Sequence, residues 1–336
     1  MQAKIAGISY ALPARSLGNE DLSAEFSDWT VEKIAAKTGI HQRWIAEPDE
    51  CSSDLGVQAA ELLLSEVDIS VADVDFLLFC TQTPDYFLPT TACLMQHRLG
   101  IPTSAGALDF NLGCSGFIYG LGLAKGLVES GQSRNLLLIT AETYSKFIHP
   151  ADRSVRTLFG DAGAAILIKA APGDSAIGPF VYGTDGSGGD NLIVPAGGCR
   201  KPLTESSQKL IMDEQGNSRA PANLYMNGSE ILTFTLAAVP EAVSALLERY
   251  GKSIDTVDLF VFHQANQFML EHLRKKCKIP KEKFVLAYEH VGNTVSCSIP
   301  IALREAELRG QLRPGMRVML VGFGVGYSWG ATLITW

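Results

Sequence analysis

Apolar positions along the chain fall into short continuous runs separated by stretches with helical spacing. Lys4–Tyr10 reads as a strand. Ser53–Val67 carries apolar residues at helical spacing behind a Ser53/Asp54 start signal. Phe76–Cys80, Leu136–Thr140 and Ala164–Ile168 are apolar runs of strand length. In the second half Pro240–Tyr250 reads as a helix, followed by strand-like runs at Leu259–Phe262, Arg317–Val321 and Ala331–Thr335. Short apolar strands alternating with helices predict an α/β fold whose sheets are covered on both faces.

The pattern repeats at long period. The run Val74–Phe79 recurs as Val257–Phe262, at an offset of 183. The stretch from Gly113-Cys114-Ser115-Gly116 to Leu136–Ile139 recurs from Val295-Ser296-Cys297-Ser298 to Val318–Val321, at an offset of 182. Gly163–Ile168 is echoed by Gly330–Thr335, at an offset of 167. Three matches in one order point to a duplicated α/β unit. The halves are placed at residues 1–175 and 176–336. Ala196–Asn223 breaks the pattern, being rich in Gly, Pro, Ser and charge. A loop of that length in a compact enzyme is a functional cover or a connector.

Composition narrows the function classes. The 336 residues are 46% apolar and 19% charged, which excludes a disordered chain. With 28 basic against 36 acidic residues, general nucleic-acid binding is disfavoured. No run of about 18 uncharged apolar residues predicts a membrane span. Met1–Tyr10 lacks the basic and apolar segments of an export signal, so a cytoplasmic chain is expected. The seven Cys, at 51, 80, 93, 114, 199, 277 and 297, form no CxxC pair. That spacing suggests neither a zinc site nor a disulfide framework, and no metal is expected.

One Cys stands in a different context. Cys114 follows a strand that ends near Phe110 and precedes the small-residue helical stretch Gly116–Val128. A turn into a helix N-terminus favours a thiolate. The same local pattern fits a packed core Cys equally well. His263 follows the run Leu259–Phe262, at the strand end where α/β sheets present site residues, although a hydrogen-bonded structural His also fits. Asn293, after Gly292, reads as a site residue or as a turn residue. The loop Gly322-Phe323-Gly324-Val325-Gly326 can aim backbone N–H groups at an oxyanion or can be only a tight turn.

Taken together, these segments resemble the condensing enzymes of the thiolase superfamily, and among them the 3-oxoacyl-[acyl carrier protein] synthase III family. The resemblance runs from Ile5-Ala6-Gly7 to Trp329-Gly330-Ala331. It includes Lys37-Thr38-Gly39-Ile40, the Cys114 segment, Phe159–Ala165, His263-Gln264-Ala265-Asn266, Gly292-Asn293-Thr294 and Gly322–Gly330. It implies the thiolase fold, two duplicated α/β halves stacked in five αβαβα layers. It maps a catalytic triad onto Cys114, His263 and Asn293. Cys114 would carry the acyl group, and the N–H groups of Cys114 and Val325 would form the oxyanion hole. His263 and Asn293 would stabilise the enolate left when a malonyl thioester loses CO₂. The substrates implied are acyl-coenzyme A or acyl carrier protein thioesters and malonyl-acyl carrier protein, with no cofactor. Arg153, Asn266, Phe159, Phe323, Leu88 and Leu192 would contact substrate. Arg274, Lys275 and Lys276 would dock the acidic acyl carrier protein, with a solvated helix face as the plain alternative. A homodimer is implied, with Leu88 crossing into the neighbouring site.

The chain departs from the family pattern in places. The family's adenine-stacking Trp is Lys33 here, and the nearby Trp29 does not align. Loss of that stacking removes ~1–3 kcal/mol of nucleotide contact. A basic docking residue is Phe268, the Phe that enters the partner's acyl pocket is Leu88, and 196–223 is longer than in housekeeping members. These departures favour delivery of both substrates by a carrier protein in a specialised pathway. Cys297, beyond Asn293, reads as packing, because the C-terminal Gly-rich loop lacks the second Cys of a thiolase. Competing readings are transfer of the Cys114 acyl group to an alcohol or amine, and a non-catalytic partner subunit, against which Cys114 counts. A papain-type protease shares the residue types but not their contexts.

Overall fold

A computed structural model describes residues 1–336. Two sheets form its frame. The first runs in the order Gln2–Ala11, Ala162–Ala171, Asn135–Glu142, Phe76–Cys80, Gly106–Phe110. The second runs Leu259–Phe262, Arg317–Gly324, Ser328–Thr335, Ile177–Thr184. A parallel bridge from Phe260 to Phe284 extends it where a fifth strand would lie. Read from its far edge, the second sheet repeats the first. The register repeats as well: Phe76 pairs with Leu136, and Leu259 with Val318, as the offsets of 183 and 182 require. Helices Gly116–Glu129 and Ser298–Leu308 lie between the sheets and touch both. Ser52–Glu66 and Thr91–Leu99 cover the outer face of the first sheet, and Gly228–Tyr250 that of the second, with Gln267–Lys276 packed beside it. The result is the expected five-layered, duplicated thiolase fold.

Two expectations are corrected. The strand Ile177–Thr184 was not foreseen, because Gly178, Pro179 and Gly183 interrupt its pattern. It is an edge strand, where a proline's missing N–H costs no ladder bond. The segment 196–223 therefore follows the first strand of the second sheet. The helix read from Pro240 begins at Gly228. Pro240 sits inside it, and the buried row Ile231, Thr235, Ala238, Val239, Ala242, Val243 and Leu246 holds the helix on the sheet through the break. Packing overrides the local penalty of an interior proline, about 3 kcal/mol. By length and composition alone this helix is apolar enough to cross a membrane, yet one face of it is core.

Candidate active site

The first half supplies a thiol. The strand Gly106–Phe110 ends, five residues turn, and helix Gly116–Glu129 begins, which leaves Cys114 at the helix entrance and 5% exposed. The segment Gly322–Gly326 of the second half closes over it; it is not the loop its glycines suggest, because Gly322–Gly324 complete the strand Arg317–Gly324 and pair with Ser328–Gly330, and within it only Val325 and Gly326 turn. A Cβ on Gly324 would lie 2.8 Å from Cys114 Cβ and 3.0 Å from its sulfur, so only glycine fits there. The backbone N–H groups of Cys114 and Val325 both reach the thiol and favour its ionised form. Burial, aided by the Glu142 charge, outweighs them and pushes the pKa up to about 12. The shift from 9.0 corresponds to about 4 kcal/mol, against about 2 kcal/mol at most from a helix terminus. The resting group is therefore a thiol, not the thiolate expected from its place on the helix.

The second half supplies an imidazole and an amide. His263 leaves the end of strand Leu259–Phe262 and is 2% exposed. Its Nδ1 lies 2.7 Å from Ser298 Oγ, and its ring meets Phe323 edge-on at 5.4 Å. Burial pulls its pKa down to about 3, against an opposing pull from the Val295 backbone, so the ring is neutral at physiological pH. Asn293 follows Gly292, whose φ of +74° suits the turn. Its backbone is fixed to Leu158 and Gly160. The N–H of Val295 donates to Asn293 Oδ1 at 3.0 Å, so the Nδ2 end is free to donate. Val295 itself sits at φ +53°, a costly conformation for a β-branched residue, on the order of 1–3 kcal/mol. The strain falls on the one residue whose backbone serves both His263 and Asn293.

Shared neighbours bring the three groups together. Cys114, Phe159, Leu192, Val295 and Phe323 belong to one buried apolar cluster. Phe159 bridges to Asn293 and stacks obliquely on Tyr144 at 5.3 Å. Ser298, Val295, Tyr144, Gln82 and Glu142 also belong to this neighbourhood, and no motif spacing singled them out. Val295 and Ser298 lie inside the repeated segment Val295–Ser298, which is the one signal the sequence offers for them.

Glu142 lies behind the thiol with no exposure. It accepts the Gln82 N–H at 3.0 Å and the Ser296 hydroxyl at 2.9 Å. Burial pushes its pKa up from 4.5 to about 8 despite these bonds. The unfolded chain releases this proton near 4.5 and the folded one near 8, so its contribution to stability is full below 4.5 and is lost as the pH rises through about 8. Glu142→Gln, which keeps a donor and an acceptor without the charge, is expected to flatten the decline in Tm across that window by several degrees. Parallel melting curves for the two proteins at all pH values would show that no proton is held there.

The other predicted residues occupy the mouth or the surface. A cleft of about 600 Å³ is walled in part by Trp29, Lys33, Lys37, Arg153, Asn266 and Phe268. Arg153 is already engaged: its Nη1 donates to both Asp28 carboxylate oxygens at 2.8 Å, and its Nη2 donates to the Gln215 carbonyl. The Asn266 side chain caps helix Gln267–Lys276 through the Met269 N–H. Trp29 does not align with the family's Trp, yet it stands at this mouth, 4.7 Å from Lys37, 5.4 Å from Lys33 and 5.8 Å from Arg153. The mouth therefore retains an aromatic ring despite Lys33. Gln215 and Asn217 bring the 196–223 segment to the same rim. That segment is joined at its base by Ala196 N–H to Pro221 O and tied by Arg219 to Asp152 and Asp213. Leu88 lies on an exposed tip with Tyr86 and Phe87. Arg274 pairs with Glu271 and the Ile279 carbonyl, whereas Lys275 and Lys276 are exposed. A second, acidic cleft of about 710 Å³, around Glu47, Asp49 and Glu61, holds none of these groups.

Known proteins resemble the chain over its whole length. Residues 108–186 match the family described as 3-oxoacyl-[acyl-carrier-protein] synthase III, and residues 247–336 match its C-terminal domain. The β-ketoacyl-[acyl-carrier-protein] synthase III of Caldanaerobacter subterraneus subsp. tengcongensis is 37% identical over 335 residues, covering 99% of this chain and 98% of the relative. Synthase III 3 of Streptomyces coelicolor is 38% identical, covering 99% and 96%. A crystal structure of a 3-oxoacyl-(acyl-carrier-protein) synthase III is 53% identical, with a TM-score of 0.99 and full coverage of both chains. That of the Burkholderia xenovorans synthase is 38% identical with a TM-score of 0.91, covering 100% and 94%. Matching in both halves and over the whole length, the chain belongs to the 3-oxoacyl-[acyl carrier protein] synthase III family.

Proposed function

We propose that the protein performs a decarboxylative Claisen condensation, joining an acyl thioester to malonyl-acyl carrier protein to give a 3-oxoacyl product in fatty acid synthesis or a related pathway. The observation that carries this reading is a buried thiol from one half and a buried neutral imidazole and a free amide end from the other, set among the shared neighbours Phe159, Val295 and Phe323. Cys114 attacks the acyl carbonyl, whose oxygen turns negative against the N–H groups of Cys114 and Val325. The Cys114 proton ends on the departing thiolate, so His263 leaves this step neutral. The malonyl thioester then loses CO₂. Its enolate oxygen meets His263 and the Asn293 amide, both acting as donors. In this scheme Ser298 Oγ, which accepts the Gln264 N–H at 3.3 Å, donates its own hydrogen to Nδ1 at 2.7 Å, and the imidazole hydrogen stands on Nε2. The enolate carbon attacks the acyl-Cys, the C–S bond breaks, and the Cys114 sulfur regains a proton from solvent.

The mouth favours a carrier protein as acyl donor. The Arg153 guanidinium has partners in Asp28 and Gln215, and three cations already flank Trp29, so a coenzyme A nucleotide would have to displace existing contacts. Exposed Lys275 and Lys276 suit an acidic carrier. The apolar tip Tyr86-Phe87-Leu88 is 62%, 85% and 81% exposed and suits burial in a second copy.

Intact-protein mass spectrometry after incubation with acyl-coenzyme A and acyl-carrier thioesters tests the scheme. One acyl adduct per chain is expected. Adding malonyl-carrier should release CO₂ and a 3-oxoacyl product. Transfer of the acyl group to an alcohol with malonyl intact would overturn condensation in favour of plain acyl transfer.

A further inference from the structure

A buried cation behind the Asn293 turn has no part in the chemistry above. Arg43, in the strand Gln42–Ile45, is 0% exposed. Burial, with the nearby Arg156 charge, pulls its pKa down to about 10, so it stays charged at neutral pH. Its bonds all go to neutral groups. Nη1 donates to the Leu17 carbonyl at 3.2 Å and to Asn19 Oδ1 at 2.8 Å, Nη2 donates to the Thr157 carbonyl at 2.9 Å, and Nε has no partner. Burying an ion without a counter-ion is costly. The planar fork does join segments far apart in the chain, which the point charge of a lysine cannot do. The stem of Arg43 lies under two glycines of the site. A Cβ on Gly292, before Asn293, would come within 3.0 Å of Arg43 Cβ, and one on Gly160, after Phe159, within 3.2 Å. These two segments are bonded to each other, Asn293 N–H to the Leu158 carbonyl at 2.9 Å and Gly160 N–H to the Asn293 carbonyl at 3.0 Å. Both are also bonded to the strand of Arg43. Asp161 N–H donates to the Trp44 carbonyl at 2.8 Å, and Trp44 Nε1 donates to the His290 carbonyl at 3.0 Å.

We propose, on the condensing function argued above, that Arg43 is a positioning residue for the condensing half-reaction and acts through Asn293. Its guanidinium grips the chain at Thr157, just before the segment that pairs with Asn293, and its stem supports Gly292. The turn that aims the Asn293 amide is thus clamped from behind, and the amide meets the enolate oxygen from one fixed position. Displacing such a group by about 1 Å costs up to about 10²-fold in rate. Cys114 is held differently. Its turn follows the strand Gly106–Phe110, Val325 follows the strand Arg317–Gly324, and no bond of Arg43 reaches either. Arg43 therefore serves condensation and not acylation.

The test measures the two half-reactions separately. Acylation of Cys114 by acetyl- and octanoyl-pantetheine is followed by intact-protein mass spectrometry, and condensation is started from the acylated protein with malonyl-acyl carrier protein. Arg43→Met, which keeps the stem and removes the fork, is expected to lower condensation at saturating malonyl carrier by about 10²-fold, with acylation changed less than about threefold. Arg43→Lys, which keeps the charge without the fork, should lose about tenfold in condensation. The Lys variant keeps the test decisive if the Met variant fails to fold, and circular dichroism reports on both. In an Asn293→Ala background, Arg43→Met should cost condensation less than about threefold more, because the group it positions is gone. Equal loss of acylation and condensation in the folded variants, full condensation in both, or an undiminished loss in the Asn293→Ala background would overturn the positioning role while leaving the condensing function intact. No 3-oxoacyl product from the native protein with any acyl thioester would overturn the function and the role together.

Discussion

Cys114→Ala is expected to abolish acyl loading from every thioester and to lower condensation by roughly 10⁴-fold or more. The expectation follows from the site having one nucleophile and no substitute nearby. Cys80 and Cys297 are buried, with their sulfurs on the Leu112 carbonyl and on the Thr140 and Ala162 carbonyls. Burial pushes the thiol pKa of both upwards. The substitution removes a single sulfur from a packed cluster, a cost of about 1 kcal/mol, so the fold should survive with a Tm within a few degrees of the native value. The two backbone N–H groups remain, as do His263 and Asn293. Release of CO₂ from malonyl thioester should therefore fall far less than condensation. An adduct of equal mass on the variant would move the nucleophile elsewhere.

Asn293→Ala should separate the two half-reactions. Condensation is expected to fall by about 10²–10³, the scale for removing one donor to a developing oxyanion, while Cys114 acylation changes by less than about tenfold. A structural role must be kept apart from this one, because Oδ1 also accepts the Val295 N–H. Losing that acceptor leaves a buried N–H unpaired, at about 1–3 kcal/mol. Asn293→Asp provides the distinction. It retains an oxygen for Val295 but presents a second oxygen, not an amide, to the enolate. If Asn293 donates to the enolate, Asp is no better than Ala in condensation; if it only braces Val295, Asp rescues. Equal loss of acylation and condensation in Asn293→Ala would contradict the assigned role.

Much of the frame is legible along the chain. Ser53–Val67 reads as a helix and is one, within a residue at each end, because its apolar spacing and start signal are both local. The offsets of 183 and 182 survive as paired register in two sheets, because strands of one duplicated unit keep their hydrophobic alternation. Ile177–Thr184 is hidden by its glycines and proline, which an edge strand tolerates. The upstream half of Gly228–Tyr250 is hidden by Pro240, which reads locally as a helix start. Helices such as Thr91–Leu99 are too short for periodicity to distinguish them from loops.

By itself, the sequence determined the duplicated α/β plan, the strand–turn–helix setting of Cys114 and the family to which the chain belongs. These rest on residue order and local spacing. The tertiary structure alone decided the charge states and the company each residue keeps. A helix entrance suggests a thiolate at Cys114, but burial beneath Gly324 and beside Glu142 keeps the proton on sulfur. Alignment removes an aromatic ring from the mouth, and the fold places Trp29 there. Arg153, free in sequence, is bound to Asp28, and Tyr144 finds Gln82 62 residues away. Desolvation and pairing depend on which groups end up within a few ångströms of one another. That distance is set by two sheets closing on shared helices, and no window along the chain contains it.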